Sequence, residues 1–126
     1  MRTILVADDE SAILGLAALS LDALGHRSVT ASDGQQALDR FLEHSAEIDA
    51  VMLDLTMPRM NGEEAARHIR AICPGVPIVL VSGYGREDVE ARVDNSLFSG
   101  FLQKPFILDT LAAAIDQALA SATPRG

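Results

Sequence analysis

Short apolar runs alternate with longer amphipathic stretches along the whole chain. Thr3-Ile4-Leu5-Val6-Ala7, Ala50-Val51-Met52-Leu53, Val76 to Val81 and Gly100-Phe101-Leu102-Gln103 lack polar alternation. That is the pattern of short strands buried on both faces of a parallel sheet. His26 to Ala31 alternates weakly, and Ser28 and Thr30 predict a more exposed strand. Between these runs the spacing becomes helical. A helix from about Ser11 to Leu24 carries the stripe Ile13, Leu16, Ala17, Ser20 and Leu24, with Gly25 closing it. On that wheel Leu14, Ala18 and Leu21 lie beside the stripe, toward solvent. A second helix follows the Ser32-Asp33-Gly34 turn through Ala37, Leu38, Phe41 and Leu42. A third spans Glu63 to Ile72, with Asn61 and Glu64 as its capping pair. Arg86 to Ser99 predicts a short, mobile helix, because Asp94-Asn95-Ser96 is a poor helix interior. Ile107 to Ala120 closes the pattern, with Leu108, Leu111, Ala112, Ile115 and Leu119 inward.

Five strands alternating with five helices predict an α/β fold, a parallel sheet with helices on both faces and right-handed crossovers. Ligands of such sheets bind at the carboxyl ends of the strands, where strand order reverses. The first strand delivers Asp8 and Asp9 there, the third Asp54, the fourth Ser82 and the fifth Lys104. The acid Asp54 ends an apolar run, and Pro58 and Gly62 turn the chain after it. Each residue alone has a plain reading. Asp8, Asp9 and Glu10 could place negative charge at a helix N-terminus, Ser82-Gly83 could be a simple turn, and Lys104 could be a solvated loop lysine. Phe101 could be ordinary core, and Leu14 and Leu21 peripheral core. Together the strand ends converge on one edge.

At 126 residues the chain fits one domain, and its 48% hydrophobic but 4% aromatic content suits an Ala/Leu/Val core. A net charge of −8 with scattered Lys and Arg argues against a nucleic-acid surface. The single cysteine, Cys73, makes no internal disulfide and suits a reducing compartment. Cys73, His26, His44 and His68 have no metal-ligand spacing. The start of the chain lacks a signal-peptide pattern, and no apolar run approaches a membrane span. The expectation is a soluble cytoplasmic protein.

The acidic pair Asp8-Asp9, the loop Asp54-x-x-Met57-Pro58-x-Met60-Asn61-Gly62, the hydroxyl of Ser82 and the dipeptide Lys104-Pro105 stand in order, about fifty residues from acid pair to Asp54 and from Asp54 to lysine. This constellation resembles the receiver domain of two-component response regulators over essentially the whole chain. The resemblance implies a flavodoxin-like (βα)5 fold of strand order 2-1-3-4-5, a receiver domain at 1–122 and a flexible tail at 123–126. It implies that Asp54 takes a phosphoryl group from a phosphohistidine on a histidine kinase or phosphotransfer domain, with weak self-catalysed phosphorylation and dephosphorylation. Mg2+ would be held by Asp9, Asp54 and the Thr56 carbonyl, with Asp8 acting mainly through water. Oxygen-only donors suit that ion, and three carboxylates against one Mg2+ and Lys104 sum to zero charge. Ser82 and Phe101 would form the switch, and Thr56 and Tyr84 would flank the phosphoryl group and set its lifetime. Leu14, Ala18, Leu21, Pro105 and Phe106 would form the docking face for the kinase.

Val81-Ser82-Gly83-Tyr84 and Leu102-Gln103-Lys104-Pro105-Phe106 are similar to receivers of hybrid histidine kinases, which is favoured over a stand-alone regulator or one separated from its output domain. Oligomeric state is open, with a monomer favoured. Two other classes compete. An aspartyl-phosphate phosphatase of the haloacid-dehalogenase type needs a second Asp two residues after the nucleophile, where this chain has Thr56. A flavin-binding module wants a phosphate-cradling loop after the first strand, where Asp8-Asp9-Glu10 would repel a phosphate.

Overall fold

The apolar runs line up side by side. A computed structural model describes residues 1–121. It contains β1 (Thr3–Ala7), α1 (Ser11–Ala23), β2 (Arg27–Ala31), α2 (Gly34–His44), β3 (Ala50–Asp54), α3 (Gly62–Ile72), β4 (Ile78–Ser82), α4 (Arg86–Glu90), a 3-10 turn (Asn95–Leu97), β5 (Gly100–Gln103) and α5 (Leu108–Ala120). The expected tail, 123–126, lies outside the described residues. The sheet is parallel throughout in the order β2-β1-β3-β4-β5, the flavodoxin-like order expected.

β1, β3 and β4 are buried at every position, which is why their sequences show no alternation. Successive side chains still point to opposite faces. Leu5, Val51, Leu53 and Ile78 pack with Phe41 of α2 and Ile69 of α3. Ile4, Val6, Met52 and Val79 pack with Leu21 of α1 and Leu111 and Ile115 of α5. The two half-cores lock the strand register and so fix which residues reach the carboxyl edge.

Several boundaries and faces differ from the sequence reading. β4 starts at Ile78, because Pro77 has no N–H for the ladder, and it runs one residue further, to Ser82. The buried side of α1 is Ala17, Ser20 and Leu21, whereas Leu16 and Leu24 are exposed. α1 is apolar almost all round, with no charge before Asp22, so periodicity alone does not set its rotation. Contact with both the sheet and α5 does. Leu108, expected inward, is also exposed, as is Leu42 of α2. The segment 86–99 is a short helix followed by a separate 3-10 turn. The Asp94 carboxylate accepts from the N–H and the hydroxyl of Ser96, a local bond that competes with continued helix.

Candidate functional site

Register builds the site. Ala7 pairs with Leu53 and Asp54 with Val81, so Asp8 and Ser82 each lie one step past a paired residue on strands flanking Asp54. Ser82 pairs with Gln103, the last residue of β5, which puts Lys104 one step beyond the strand. The Lys104 amide donates to the Ser82 carbonyl at 2.8 Å, and the Lys104–Pro105 peptide is cis. From there the lysine reaches back across the edge. Its Nζ lies 2.8 Å from Asp8 Oδ2, 3.2 Å from Asp54 Oδ1 and 3.3 Å from Glu10 Oε1. Asp8 and Asp54 are buried and Lys104 nearly so, with 14% of its side chain exposed.

The electrostatics follow. Burial, and then the charge of Asp8, push the Asp54 carboxyl up from 3.8 to about 6, although Lys104 pulls it down. Burial alone would lower Lys104, but its hydrogen bond to Asp8 and the charges of Asp54 and Asp8 outweigh that and raise it. The lysine therefore stands as a cation beside a carboxyl that holds its proton more tightly than usual. Glu10, read in sequence as a helix-terminus charge, is a participant: besides reaching Lys104, its amide donates to Asp8 Oδ1 at 2.9 Å. Its place in an acidic run was the available signal.

Carboxylate oxygens of Asp8, Asp9 and Glu10 lie within 4.8 Å of one another. With Asp54 they make four acids facing one ammonium, a net negative site. Clustered hard oxygens beside a solvent-open edge suit a small divalent cation of the Mg2+ kind. Asp9 is exposed and available to such an ion, whereas buried Asp8 already holds Lys104. Thr56 is exposed in the loop after β3.

That loop is folded back tightly. A Cβ on Gly62 would stand 2.3 Å from the Asp54 carbonyl oxygen, so the close approach demands glycine. The Asn61–Glu64 capping box starts α3 there. Ser82 is buried, and its Oγ accepts from the Tyr84 amide at 3.1 Å. Tyr84 is exposed with the Arg92 guanidinium 5.4 Å from its ring centroid, and Phe101 is half-buried with Arg86 similarly placed.

The residues expected at the docking face separate by burial. Leu21 is fully buried under α1 and Phe106 is buried against α5, so both are core. Leu14 and Ala18 are half-buried, and Pro105 is exposed. The exposed apolar residues in this region are instead Leu16, Leu19, Ile107 and Leu108.

A family model described as the response regulator receiver domain matches residues 4–116. The autoinducer 1 sensor kinase/phosphatase LuxN of Vibrio campbellii is 35% identical over 109 residues, covering 86% of this chain and 12% of LuxN. The sensor kinase CckA of Brucella abortus is 32% identical, covering 93% of this chain and 12% of CckA. The transcriptional regulatory protein GlrR of Escherichia coli is 35% identical, over 96% of this chain and 27% of GlrR. The chain thus spans a small part of these relatives. Among solved structures, a response regulator receiver domain protein from Clostridium thermocellum superposes with a TM-score of 0.85 at 32% identity, covering 95% of both chains. Strand order, the acid–lysine edge and these matches agree, and the chain belongs to the response regulator receiver domain family of two-component signalling.

Proposed function

We propose that this domain is a phosphoacceptor in which Asp54 takes a phosphoryl group from a phosphohistidine on a histidine kinase or phosphotransfer domain. The observation that carries the reading is the Asp8–Lys104–Asp54 arrangement at the ends of neighbouring strands. In the transfer the P–N bond of the donor breaks, a P–O bond to an Asp54 carboxylate oxygen forms, and the freed imidazole takes up a proton from solvent. Asp54 acts as nucleophile in its ionised form. Lys104, fixed by Asp8 and already beside Asp54, stabilises the phosphoryl oxygens through charge. Asp8, Asp9, Asp54 and the Thr56 carbonyl are the residues to hold Mg2+, with Glu10 adding negative charge. When bound, the ion neutralises the carboxylates and the incoming phosphoryl oxygens.

Ser82 is placed to leave its bond with the Tyr84 amide and hydrogen-bond the phosphoryl group, with Phe101 turning as its partner in the switch. Thr56 and Tyr84, two residues past Asp54 and Ser82, border the site and govern access of hydrolytic water. The domain modifies itself slowly from small phosphodonors and otherwise signals rather than turning over substrate. Kinase helices dock on α1 and the start of α5, through Leu16, Leu19, Pro105 and Ile107, with Leu14 and Ala18 at the margin. We read it as a monomeric receiver of a hybrid histidine kinase, since sensor kinases stand among its relatives. A cytoplasmic location goes with this reading. No described helix is long and apolar enough to cross a membrane.

Intact-mass measurement after acetyl phosphate with Mg2+ tests the reading. Wild type gains one phosphoryl group and Asp54→Asn gains none. Full labelling of Asp54→Asn would move the acceptor elsewhere.

A further inference from the structure

The loop between Asp54 and α3 is held at its root by backbone bonds. Leu55 N–H donates to the Val81 carbonyl, and Gly62 N–H to the Leu55 carbonyl, both at 2.9 Å. Its outer part, residues 56–60, has one backbone bond of its own, from Met60 N–H to the Pro58 carbonyl at 2.7 Å. Arg59 alone among the described non-glycine residues has a positive φ, 66°, a left-handed conformation that L side chains disfavour. Such a conformation persists where surrounding contacts enforce it. A backbone bond across Arg59 goes with this turn, and the Arg59 side chain adds a long-range contact, with Asp33. The Arg59 guanidinium is largely exposed, yet its Nη1 donates to Oδ2 of a carboxylate only 2% exposed.

Asp33 belongs to a different element. Its Oδ1 accepts from the Gln36 amide at 2.8 Å and caps the N-terminus of α2. One carboxylate therefore holds α2 with one oxygen and the acceptor loop with the other. The Gln36 amide, working against burial and aided by Arg59, keeps this carboxyl below the usual range. A second contact runs alongside. A Cβ on Gly34, the first residue of α2, would lie 1.8 Å from the Met60 carbonyl oxygen. The loop is thus pressed onto the helix by Met60 against Gly34 and tied there by Arg59 to Asp33.

We propose that the Arg59–Asp33 pair is a positioning device that clamps residues 56–60 onto the N-terminus of α2 and thereby fixes Thr56 beside the acceptor. Arg59 touches none of the reacting groups. It acts through the backbone of the loop, and the proposal rests on the functional reading of Asp54 given above. A charge-assisted bond from Nη1 to one carboxylate oxygen suits the task, because it leaves the other oxygen free to cap α2.

The test compares Arg59→Ala, Arg59→Gly, Arg59→Lys and Asp33→Asn, well below each melting temperature. Arg59→Gly accepts the left-handed backbone without strain but drops the guanidinium. Asp33→Asn keeps an oxygen for the α2 cap but drops the charge. Acetyl-phosphate labelling rate is followed against Mg2+ concentration, and amide hydrogen exchange at 56–60 is followed without Mg2+. Arg59→Ala, Arg59→Gly and Asp33→Asn should each raise the half-saturating Mg2+ concentration by about tenfold, the usual scale for supporting residues, and speed exchange at 56–60. Arg59→Lys should recover most of both effects. The double variant Arg59→Ala/Asp33→Asn should be no worse than either single one. If Arg59→Ala does not fold, the strain-free Arg59→Gly carries the comparison. Folded variants with wild-type Mg2+ dependence and exchange would overturn the proposal, as would a normal Arg59→Gly, which would assign the effect to backbone strain. A wild type that fails to label would bring down the functional reading instead, and the metal-free exchange would still decide the clamp.

Discussion

Removing the titratable group at position 54 should make the cation-free protein more stable at neutral pH. The Asp54 carboxyl stands at about 6 in the fold against an ordinary 3.8, because burial and the charge of Asp8 disfavour the anion more than Lys104 favours it. Between those values the folded chain holds a proton that the unfolded chain has released. The raised carboxyl therefore stabilises the fold below about pH 4, and that contribution disappears as pH rises through about 6. Each tenfold in proton affinity is about 1.4 kcal/mol, which gives about 3 kcal/mol before screening. Water at the open sheet edge reduces this to roughly 1–2 kcal/mol. For a domain of this size that is roughly 3–10 °C in melting temperature. Asp54→Asn keeps the shape of the side chain and removes the titration. Thermal unfolding of both proteins in chelator, from pH 4.5 to 8, isolates the effect as a difference. Asp54→Asn should match wild type near the acid end and melt higher above pH 6.5. A difference that does not change with pH, or a less stable Asp54→Asn at pH 7, would mean that burial of the Asp54 carboxyl does not cost the fold stability.

Asp9→Ala should lose most of the rise in melting temperature that millimolar Mg2+ gives wild type, since a ligand that binds the native state stabilises it by mass action; an undiminished rise would remove Asp9 from the ligand set. Leu19→Glu, at the most exposed leucine of α1, should slow transfer from the cognate kinase by at least about tenfold, the loss of one apolar contact. Acetyl-phosphate labelling and melting temperature should stay nearly unchanged, and equal slowing with both donors would signal damage to the site instead. Leu21→Ala should behave oppositely, lowering stability by about 2–5 kcal/mol as a truncated core leucine. Tyr84→Ala should shorten the lifetime of the phosphoryl group, because Tyr84 stands two residues past Ser82 and presents an exposed ring to solvent; an unchanged or longer lifetime would contradict the shielding role.

The sheet was legible because three of its strands are buried on both faces and write uninterrupted apolar runs. The edge residues were legible because a charge at the end of such a run has nowhere else to go. Lys104 could be placed beside Asp54 only through the inferred strand order, and the register Asp54–Val81 and Ser82–Gln103 shows why that inference works. α1 was not legible in rotation. Its sequence is apolar on nearly every side, so Leu21 and Leu16 exchange places between core and surface once α5 packs beside it. Phe106 looked like a loop aromatic, but it folds inward against the α5 core. The Arg59–Asp33 tie was invisible for another reason: no periodicity links two polar residues on separate loops. Glu10 lay in plain sight within an acidic run, where only the reach of Lys104 distinguishes a participant from a helix-terminus charge.

On this reading Asp54 accepts its phosphoryl group directly from phosphohistidine. The most direct test incubates wild type with a radiolabelled phosphohistidine-bearing kinase or phosphotransfer domain in Mg2+, then maps the labelled peptide. Label should leave the donor and appear on the peptide containing Asp54, in an alkali-labile linkage characteristic of an acyl phosphate, and it should be absent from Asp54→Asn. Label on any other peptide, or transfer to Asp54→Asn at the wild-type rate, would contradict the account.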